Sequence, residues 1–395
     1  MKILVTGAKG FVGKNLTAQL YNIKDNKARW YSLDKNFNIL EYDRESEKDD
    51  SFSVLESYCK ECNIVVHLAG INRPKQEEEF VKGNFCLLET LLNLLKKHNN
   101  TCPVILSSSI QAELDNPYGK SKLLAEQLLK DYAKQNQAKI KIYRFTNIFG
   151  KWSKPNYNSV VATFCHNIAN NLPIQINNNE SQINLTYIDD VVDDIIWNID
   201  CLLNNKSIDI ENNLPYYTVS VGELAERIYS FSLINQNLVL PDMNDDFTKK
   251  LYATFLSYKP ANKLLSSLKT NEDERGSFTE IFKRLQGGQI AINVSKPNFV
   301  KGEHWHNTKI EKFIVIKGEA LVQMRKVGLD ENNKPYPITE YKLSEKKIEI
   351  LDIIPGYTHN IKNLSDKEDL IFLIWANEEF NQQKPDTYYE KVRAI

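Results

Sequence analysis

The first thirteen residues constrain the chain more than any other stretch. Ile3-Leu4-Val5-Thr6 is a short apolar run of the kind that fills a buried parallel strand, and it passes directly into Gly7-Ala8-Lys9-Gly10-Phe11-Val12-Gly13 before an amphipathic stretch begins. Glycines at a strand-to-helix junction permit a tight turn. They also let backbone amides and the positive end of the helix approach a pyrophosphate. The spacing therefore predicts a dinucleotide-binding βαβ unit in which Gly7, Lys9, Gly10, Phe11, Val12 and Gly13 line the cofactor.

The next two hundred residues extend that pattern. Strands are expected at Ile3–Thr6, Trp30–Leu33, Ile64–Ala69, Val104–Ser107 and Lys141–Phe145, and helices at Gly10–Leu20, Asn84–Lys97 and Lys120–Lys134. This order predicts a doubly wound α/β fold of Rossmann type. Asp34 follows Gly13 by 21 residues, at the end of the expected second strand, where it would accept from a ribose hydroxyl. Its carboxylate favours NAD because it repels a 2′-phosphate, while Lys9 and Lys35 would neutralise one, so the residues themselves leave both NAD and NADPH open. The texture changes near residue 260. Tyr258-Lys259-Pro260 breaks a helical pattern, and beyond it short alternating strands are punctuated by Gly287-Gly288, Lys317-Gly318, Asn332-Asn333 and Pro355-Gly356. The expected division is an α/β domain over residues 1–258 and an all-β barrel or sandwich over residues 262–395.

Composition narrows the function classes. The 395 residues carry 50 basic against 51 acidic side chains, which argues against a broadly basic nucleic-acid binder. Apolar runs such as Leu370 to Trp375 fall far short of the ~20 residues a membrane helix needs. Met1-Lys2 leads straight into the first strand, leaving no room for a signal peptide, so a cytoplasmic location is expected. All six cysteines lie in the first half and are expected to be reduced. Cys59-Lys60-Glu61-Cys62 has redox or zinc spacing, but neither a second Cys pair nor a nearby His completes a ligand set, and we read it as structural.

Two side-chain constellations carry chemistry. In Tyr118-Gly119-Lys120-Ser121-Lys122 a phenol and an ammonium lie four residues apart, on one face at the start of a helix. A cation beside the phenol, together with the cofactor's positive ring, favours phenolate, so Tyr118 would exchange a proton with a substrate oxygen that Ser109 would also hydrogen-bond. The second constellation comprises His304-Trp305-His306, Glu311 and, much later, Pro355-Gly356-Tyr357-Thr358-His359 with Asn363. On a strand His304 and His306 share a face, and Glu311 and His359 would return on other strands. Three imidazoles and one carboxylate suit zinc, iron, manganese or nickel.

The glycine turn, His67-Leu68-Ala69-Gly70, Ser107-Ser108-Ser109, Tyr118 with Lys122, and Arg144-Phe145-Thr146-Asn147-Ile148-Phe149-Gly150 together resemble an extended short-chain dehydrogenase/reductase over roughly residues 1–255. That resemblance implies that Ser109, Tyr118 and Lys122 are catalytic, and that Leu68, Ala69, Gly70, Tyr118 and Lys122 meet the cofactor. It also implies a nucleotide-sugar substrate, contacted by Arg73, by Asn147 and by Asn158 in the loop Asn156-Tyr157-Asn158-Ser159. The 4,6-dehydratases of this family carry an acid directly after the serine or threonine; here Ile110-Gln111 follows, which argues against dehydration. A 4-keto reduction and a cofactor-recycling 4-epimerisation both stay open.

The second constellation resembles the two cupin motifs over about residues 290–365, with a divalent metal, expected to be zinc, on His304, His306, Glu311 and His359. Asp273-Glu274-Arg275-Gly276-Ser277-Phe278-Thr279-Glu280 resembles the nucleotide-sugar contact motif of dTDP-4-keto-rhamnose 3,5-epimerases, which implies substrate contacts at Arg275, Phe278 and Glu280. Those epimerases use a His base without metal, and His304 falls where that base would stand. A reductase followed by an epimerase-like cupin is similar, along the whole chain, to bifunctional enzymes of capsular polysaccharide and O-antigen synthesis. The similarity implies NADPH, a homodimer, and two reactions. The cupin would epimerise C3 of UDP-2-acetamido-2,6-dideoxy-L-arabino-4-hexulose, and the reductase would convert the product to UDP-2-acetamido-2,6-dideoxy-L-talose, a precursor of UDP-N-acetyl-L-fucosamine. Two other readings are a reductase whose cupin serves only binding or dimerisation, and an NAD-recycling nucleotide-sugar 4-epimerase.

Overall fold

Every residue of Ile3-Leu4-Val5 is fully buried because the strand that holds them is covered on both faces. In the computed structural model, which describes residues 1–44, 48–74, 76–211, 214–284, 287–379, 383 and 385–393, this is β1 (Lys2–Thr6). It lies between β2 (Asn38–Tyr42) and β3 (Ile64–His67), and β4 (Val104–Ser109) and β5 (Ile140–Phe145) complete a parallel sheet in the order β2-β1-β3-β4-β5. The helices α1 (Phe11–Lys24), α2 (Ser53–Glu61), α3 (Leu87–Lys97) and α4 (Pro117–Asn136) connect the strands. Ile3 and Val5 join Leu16, Leu20, Val191 and Ile195 on one face; Leu4 joins Leu55, Leu88, Leu91 and Leu129 on the other. A smaller sheet, β6 (Asn147–Phe149), β7 (Gln182–Tyr187) and β8 (Tyr217–Ser220), follows, with α5 (Val160–Ala169) and α6 (Ile188–Leu203) around it in sequence.

One expected strand is absent. Trp30–Leu33 is irregular, with Trp30 75% exposed, and the strand beside β1 is Asn38–Tyr42, paired from Lys2↔Asn38 to Thr6↔Tyr42. Leu33 and Phe37 still enter the core, but from a loop. Burial by an irregular segment can mimic a short strand in sequence, because an apolar run of this length does not report its backbone.

Packing divides the chain into two compact units: Met1–Tyr229 with Lys250–Pro260, and Ser230–Lys249 with Ala261–Ile395. The excursion Ser230–Lys249 thus packs with the second unit, and its strand β9 (Val239–Leu240) runs parallel to the strand Gly276–Arg284. That unit is built, among the described residues, from β10 (Thr270–Asp273), β11 (Gly276–Arg284), β12 (Gln289–Ser295), β13 (Val300–Trp305), β14 (Glu311–Lys317), β15 (Glu319–Lys326), β16 (Thr339–Ser344), β17 (Leu351–Ile353), β18 (Tyr357–Asn363), β19 (Leu370–Ala376) and β20 (Tyr388–Tyr389). One sheet runs β10-β11-β12-β19-β14-β17 and the other β16-β15-β18-β13-β20. Phe313, Val315 and Phe372 from the first share a core with Val322, Met324 and Ile361 from the second, so the sheets pack face to face as a cupin-like sandwich. No helix among the described residues is long and apolar enough to cross a membrane.

Candidate active sites in the two units

The glycine turn sits where β1 meets α1. Gly7 has φ +69°, and a Cβ there would lie 2.7 Å from the Ala69 amide nitrogen; a Cβ on Gly13 would lie 2.1 Å from the Gly7 carbonyl oxygen. Only glycine fits either position, which keeps Leu68-Ala69-Gly70 close against the turn. The N-cap of α1 is Gly10, which has no side-chain acceptor, so the amides of Phe11 and Val12 point outward at the positive helix end. This cradle fits a dinucleotide pyrophosphate.

Asp34 and Lys35 do not reach it. They precede β2, whose first residue pairs with Lys2, and so lie at the sheet edge opposite the turn; Asp34 instead accepts the Asn36 amide at 2.8 Å. The error follows from the misplaced strand. The end of the real β2 is tied to the turn, since the Gly7 amide donates to the Tyr42 carbonyl at 2.8 Å, and Asp43 and Arg44 follow next. The Arg44 guanidinium lies 4.7 Å from the centroid of the Phe52 ring. Asn38-Ile39-Leu40-Glu41-Tyr42 carries no alternation that would have located this position from sequence.

Ser109, Tyr118 and Lys122 are brought together. β4 ends at Ser109, and Asn116 caps α4 by accepting the Gly119 amide at 2.7 Å, which sets Tyr118 and Lys122 on the first turns. Lys122 is buried, donates to the Ser107 carbonyl at 3.0 Å, and its Nζ lies 5.9 Å from the centroid of the Tyr118 ring. Burial pulls its pKa down to about 8, with Glu126 opposing. Burial also raises the Tyr118 phenol, and the hydrogen bond with Ser109 opposes that rise. In the chain alone the phenol therefore keeps its proton; the expected bias toward phenolate also involves the positive ring of a bound cofactor. His67 faces Thr6, Nδ1 to Oγ1 at 2.8 Å, and burial pushes its pKa down to about 3, so the imidazole is neutral.

Asn84 is a site neighbour that sequence reasoning missed. It lies in a π-helical turn, Lys82–Cys86, with its side chain accepting from the Ile71 amide at 2.9 Å and donating to the Ile71 carbonyl and to Ser121 Oγ, both at 3.0 Å. A Cβ on Gly70 would meet both Asn84 Oδ1 and Lys122 Nζ, at 2.6 and 3.1 Å. Asn84 therefore stitches the cofactor loop to the catalytic helix. Nothing in the surrounding leucine pattern marks it. Below Ser109, the buried Glu126 accepts from Ser108 Oγ and pairs with Arg144 at 2.7 Å, bracing the strand end. A cleft of about 120 Å³ is lined by Ile110, Arg144, Thr146, Asn184 and Tyr216. Asn147, at the start of β6, donates to the Asn184 carbonyl; Arg73 and Asn158 are exposed on loops.

In the second unit His304, His306, Glu311 and His359 converge, with ligand atoms all within 4.8 Å of one another. His304 pairs across strands with His359, and a bulge at Glu303 (φ +61°) lies just before it; Glu311 opens β14 in the other sheet. His306 Nε2 and His359 Nε2 are buried without a hydrogen-bond partner and stand 3.7 and 3.5 Å from Glu311 Oε2. Buried polar atoms converging without bonding one another fit a metal ion among them. The other Glu311 oxygen accepts from Lys309 Nζ at 2.8 Å, and His306 Nδ1 donates to the Asp386 carbonyl, which leaves Nε2 free to ligate. Burial and the neighbouring imidazoles lower the His304 pKa to about 4. The Asp386 carboxylate is held ionised, against its burial, by the amides of Thr308, Asn307 and Lys309. Phe278 and Glu280 on β11 share the sheet face of Glu311, through the pairings Glu280↔Ala291 and Glu311↔Ala376↔Gln289. Arg275 lies in the preceding turn, paired with Asp273 at 3.0 Å.

A glycine cradle on a parallel sheet with a Ser-Tyr-Lys group beside it defines a nicotinamide-dependent nucleotide-sugar fold, and the chain belongs to the NAD dependent epimerase/dehydratase family, which matches residues 3–209. The polysaccharide biosynthesis C-terminal domain matches residues 271–388. Over 98% of both sequences, the chain is 39% identical to the UDP-2-acetamido-2,6-beta-L-arabino-hexul-4-ose reductase of Pseudomonas aeruginosa. It is similar to the capsular polysaccharide assembling protein CapF of Staphylococcus aureus, with 41% identity and a TM-score of 0.86 over 99% of this chain and 100% of that one. Thermus thermophilus UDP-glucose 4-epimerase, at 16% identity and a TM-score of 0.52 over 66% of this chain and all of its own, shares the fold.

Proposed function

We propose that the chain is a two-site nucleotide-sugar enzyme of polysaccharide synthesis, in which the expected limits 1–258 and 262–395 give way to a first unit that excludes Ser230–Lys249 and a second that includes it. The second unit epimerises C3 of UDP-2-acetamido-2,6-dideoxy-L-arabino-4-hexulose, and the first reduces the 4-keto product with NADPH to UDP-2-acetamido-2,6-dideoxy-L-talose, toward UDP-N-acetyl-L-fucosamine. The observation that carries this reading is one chain holding both a Ser109-Tyr118-Lys122 group beside a dinucleotide cradle and a four-ligand cluster beside the Phe278-Glu280 face. The name and end-to-end match of the Pseudomonas reductase support the substrate class.

A nicotinamide dinucleotide, held by Gly7, Gly10, Gly13 and the loop Leu68-Ala69-Gly70, supplies hydride. Ser109 orients the sugar ketone, and Tyr118 donates its proton to the ketone oxygen. Its burial-raised pKa suits that role, because a reduction consumes a proton and needs the phenol protonated. Lys122 holds positive charge behind Tyr118. Arg44, at the end of the strand paired to the turn, is the group we assign to a 2′-phosphate in place of Lys35. A divalent metal on His304, His306, Glu311 and His359, which we take to be zinc, supplies Lewis acidity in the second unit. Epimerisation must come first, since only the ketone acidifies the neighbouring C–H bond.

The test is NMR of products formed from the 4-keto substrate with and without NADPH. Deuterium entry at C3 without NADPH and a reduced 6-deoxy-talose sugar with it are expected. Reduction with no exchange at C3 would leave the second unit as a binding module, and turnover without NADPH consumption would favour a 4-epimerase.

A further inference from the structure

The first unit contains a thiol pair for which the proposed chemistry has no use. Cys62 follows the last turn of α2, and Cys102 lies just ahead of β4; although 40 residues separate them in sequence, their sulfur atoms are 3.7 Å apart and both residues are buried. Asn100 clamps both chain segments. Its Nδ2 donates to the carbonyls of Cys59 and Cys62 at 2.8 and 2.9 Å and reaches Cys62 Sγ at 3.7 Å, while its Oδ1 accepts the Cys102 amide at 3.0 Å. Tyr132 in turn donates to the Asn100 carbonyl at 3.3 Å.

We propose that Cys62 and Cys102 are an oxidative modification site that closes to a reversible disulfide on reaction with a peroxide. The sulfur separation, 3.7 Å between the thiols, must shrink to about 2.05 Å in the disulfide. The two thiols are inequivalent. The contact with Cys102 and the hydrogen bond from Asn100 draw Cys62 down against its burial, whereas the contact with Cys62 and burial push Cys102 up. Cys62 is accordingly the attacking thiolate. Its sulfur bonds to one peroxide oxygen as the O–O bond breaks, giving a sulfenic acid; the departing oxygen leaves as water with the thiol proton. Cys102 then attacks that sulfur, the S–S bond forms, the S–O bond breaks, and a second water carries off the Cys102 proton. Two thiols and one hydrogen peroxide thus become one disulfide and two waters.

The closed loop contains β3, the cofactor loop Leu68-Ala69-Gly70 and Asn84, so the bond restrains the unfolded form of a segment that shapes the dinucleotide site. It lies at the strand end opposite Ser109, because Cys102 precedes β4 and Ser109 ends it. Oxidation is therefore expected to raise the melting temperature of the first unit without removing dinucleotide binding.

The full chain, treated with hydrogen peroxide, unfolded, alkylated and digested, tests this. The expected result is a loss of two hydrogens in mass, a dithiothreitol-sensitive link between the Cys62 and Cys102 peptides, and the same link in Cys59→Ser. In Cys102→Ser the link disappears and dimedone traps Cys62 sulfenic acid; Cys102→Ala serves the same purpose if Cys102→Ser does not fold by circular dichroism. Full alkylation of both thiols after peroxide, or a link from Cys62 to Cys59, overturns the proposal. None of these readouts depends on the reaction assigned to the enzyme.

Discussion

Tyr118 is legible from its motif, but its protonation is not: burial raises the phenol in the chain alone, and the expected phenolate involves Lys122 together with the positive ring of a bound cofactor. Tyr118→Phe should lower NADPH-dependent reduction by at least ~10²-fold, the scale of a positioned proton donor, with dinucleotide affinity retained; near-normal turnover would remove Tyr118 from the mechanism. Lys122 adds a pH signature. Burial disfavours its charged form and sets its pKa at about 8, so the ammonium is lost as pH rises through that value. The kcat of reduction should fall on the alkaline side of about 8, and a flat profile across that value would count against the role. Arg44 and Lys35 separate in the same way. Arg44→Ala should weaken NADPH by ~1.5–3 kcal/mol while sparing NADH, as expected for a lost charge-assisted bond. Lys35→Ala, at the far sheet edge, should change neither, and titration of both cofactors reads the difference.

The β1-turn-α1 junction shows how local pattern becomes geometry. Its glycines were readable because each allows a backbone contact that a side chain would fill, and the structure puts distances to this: 2.1 Å from a Gly13 Cβ to the Gly7 oxygen. Gly13→Ala should therefore cost ~1–3 kcal/mol through forced backbone shifts. Calorimetry should show a lower melting temperature for the first unit and weaker dinucleotide binding, with the metal content of the second unit unchanged. The neighbouring strand β2 was not readable. Trp30–Leu33 and Asn38–Tyr42 are both short apolar runs, and what selects the second is its register on β1 and the hydrogen bond from Gly7 to Tyr42. The π-helical turn at Lys82–Cys86 is equally hidden, because its role is to deliver Asn84 to Ile71 and Ser121, partners distant in sequence.

Each unit has its own hydrophobic core, so damage to one site should leave the other working. His359→Ala removes one of the four proposed ligands, which come from both sheets of the second unit, and with it part of the binding energy a metal would add to the folded sandwich. Metal content by elemental analysis and the melting temperature of the second unit should both fall. Reduction of pre-epimerised substrate should persist. Retained metal would refute the ligand set, and lost reduction would refute the division of labour.

The sequence by itself determined what depends on residues close in the chain: the glycine turn, the Tyr118-Lys122 spacing on one helix face, the alternation of strands and helices, the change to β-structure near residue 260, and the paired His304-His306. Tertiary structure decided what depends on residues far apart. It chose which apolar run lies beside β1, and so put Asp43 and Arg44, not Asp34, after the strand tied to the glycine turn. It carried Ser230–Lys249 into the second unit, brought Asn84 to the cofactor loop and set Cys62 against Cys102. The physical reason is the same in each case. Local spacing fixes direction and periodicity, which a short segment carries within itself, whereas register, burial and desolvation arise only when segments meet.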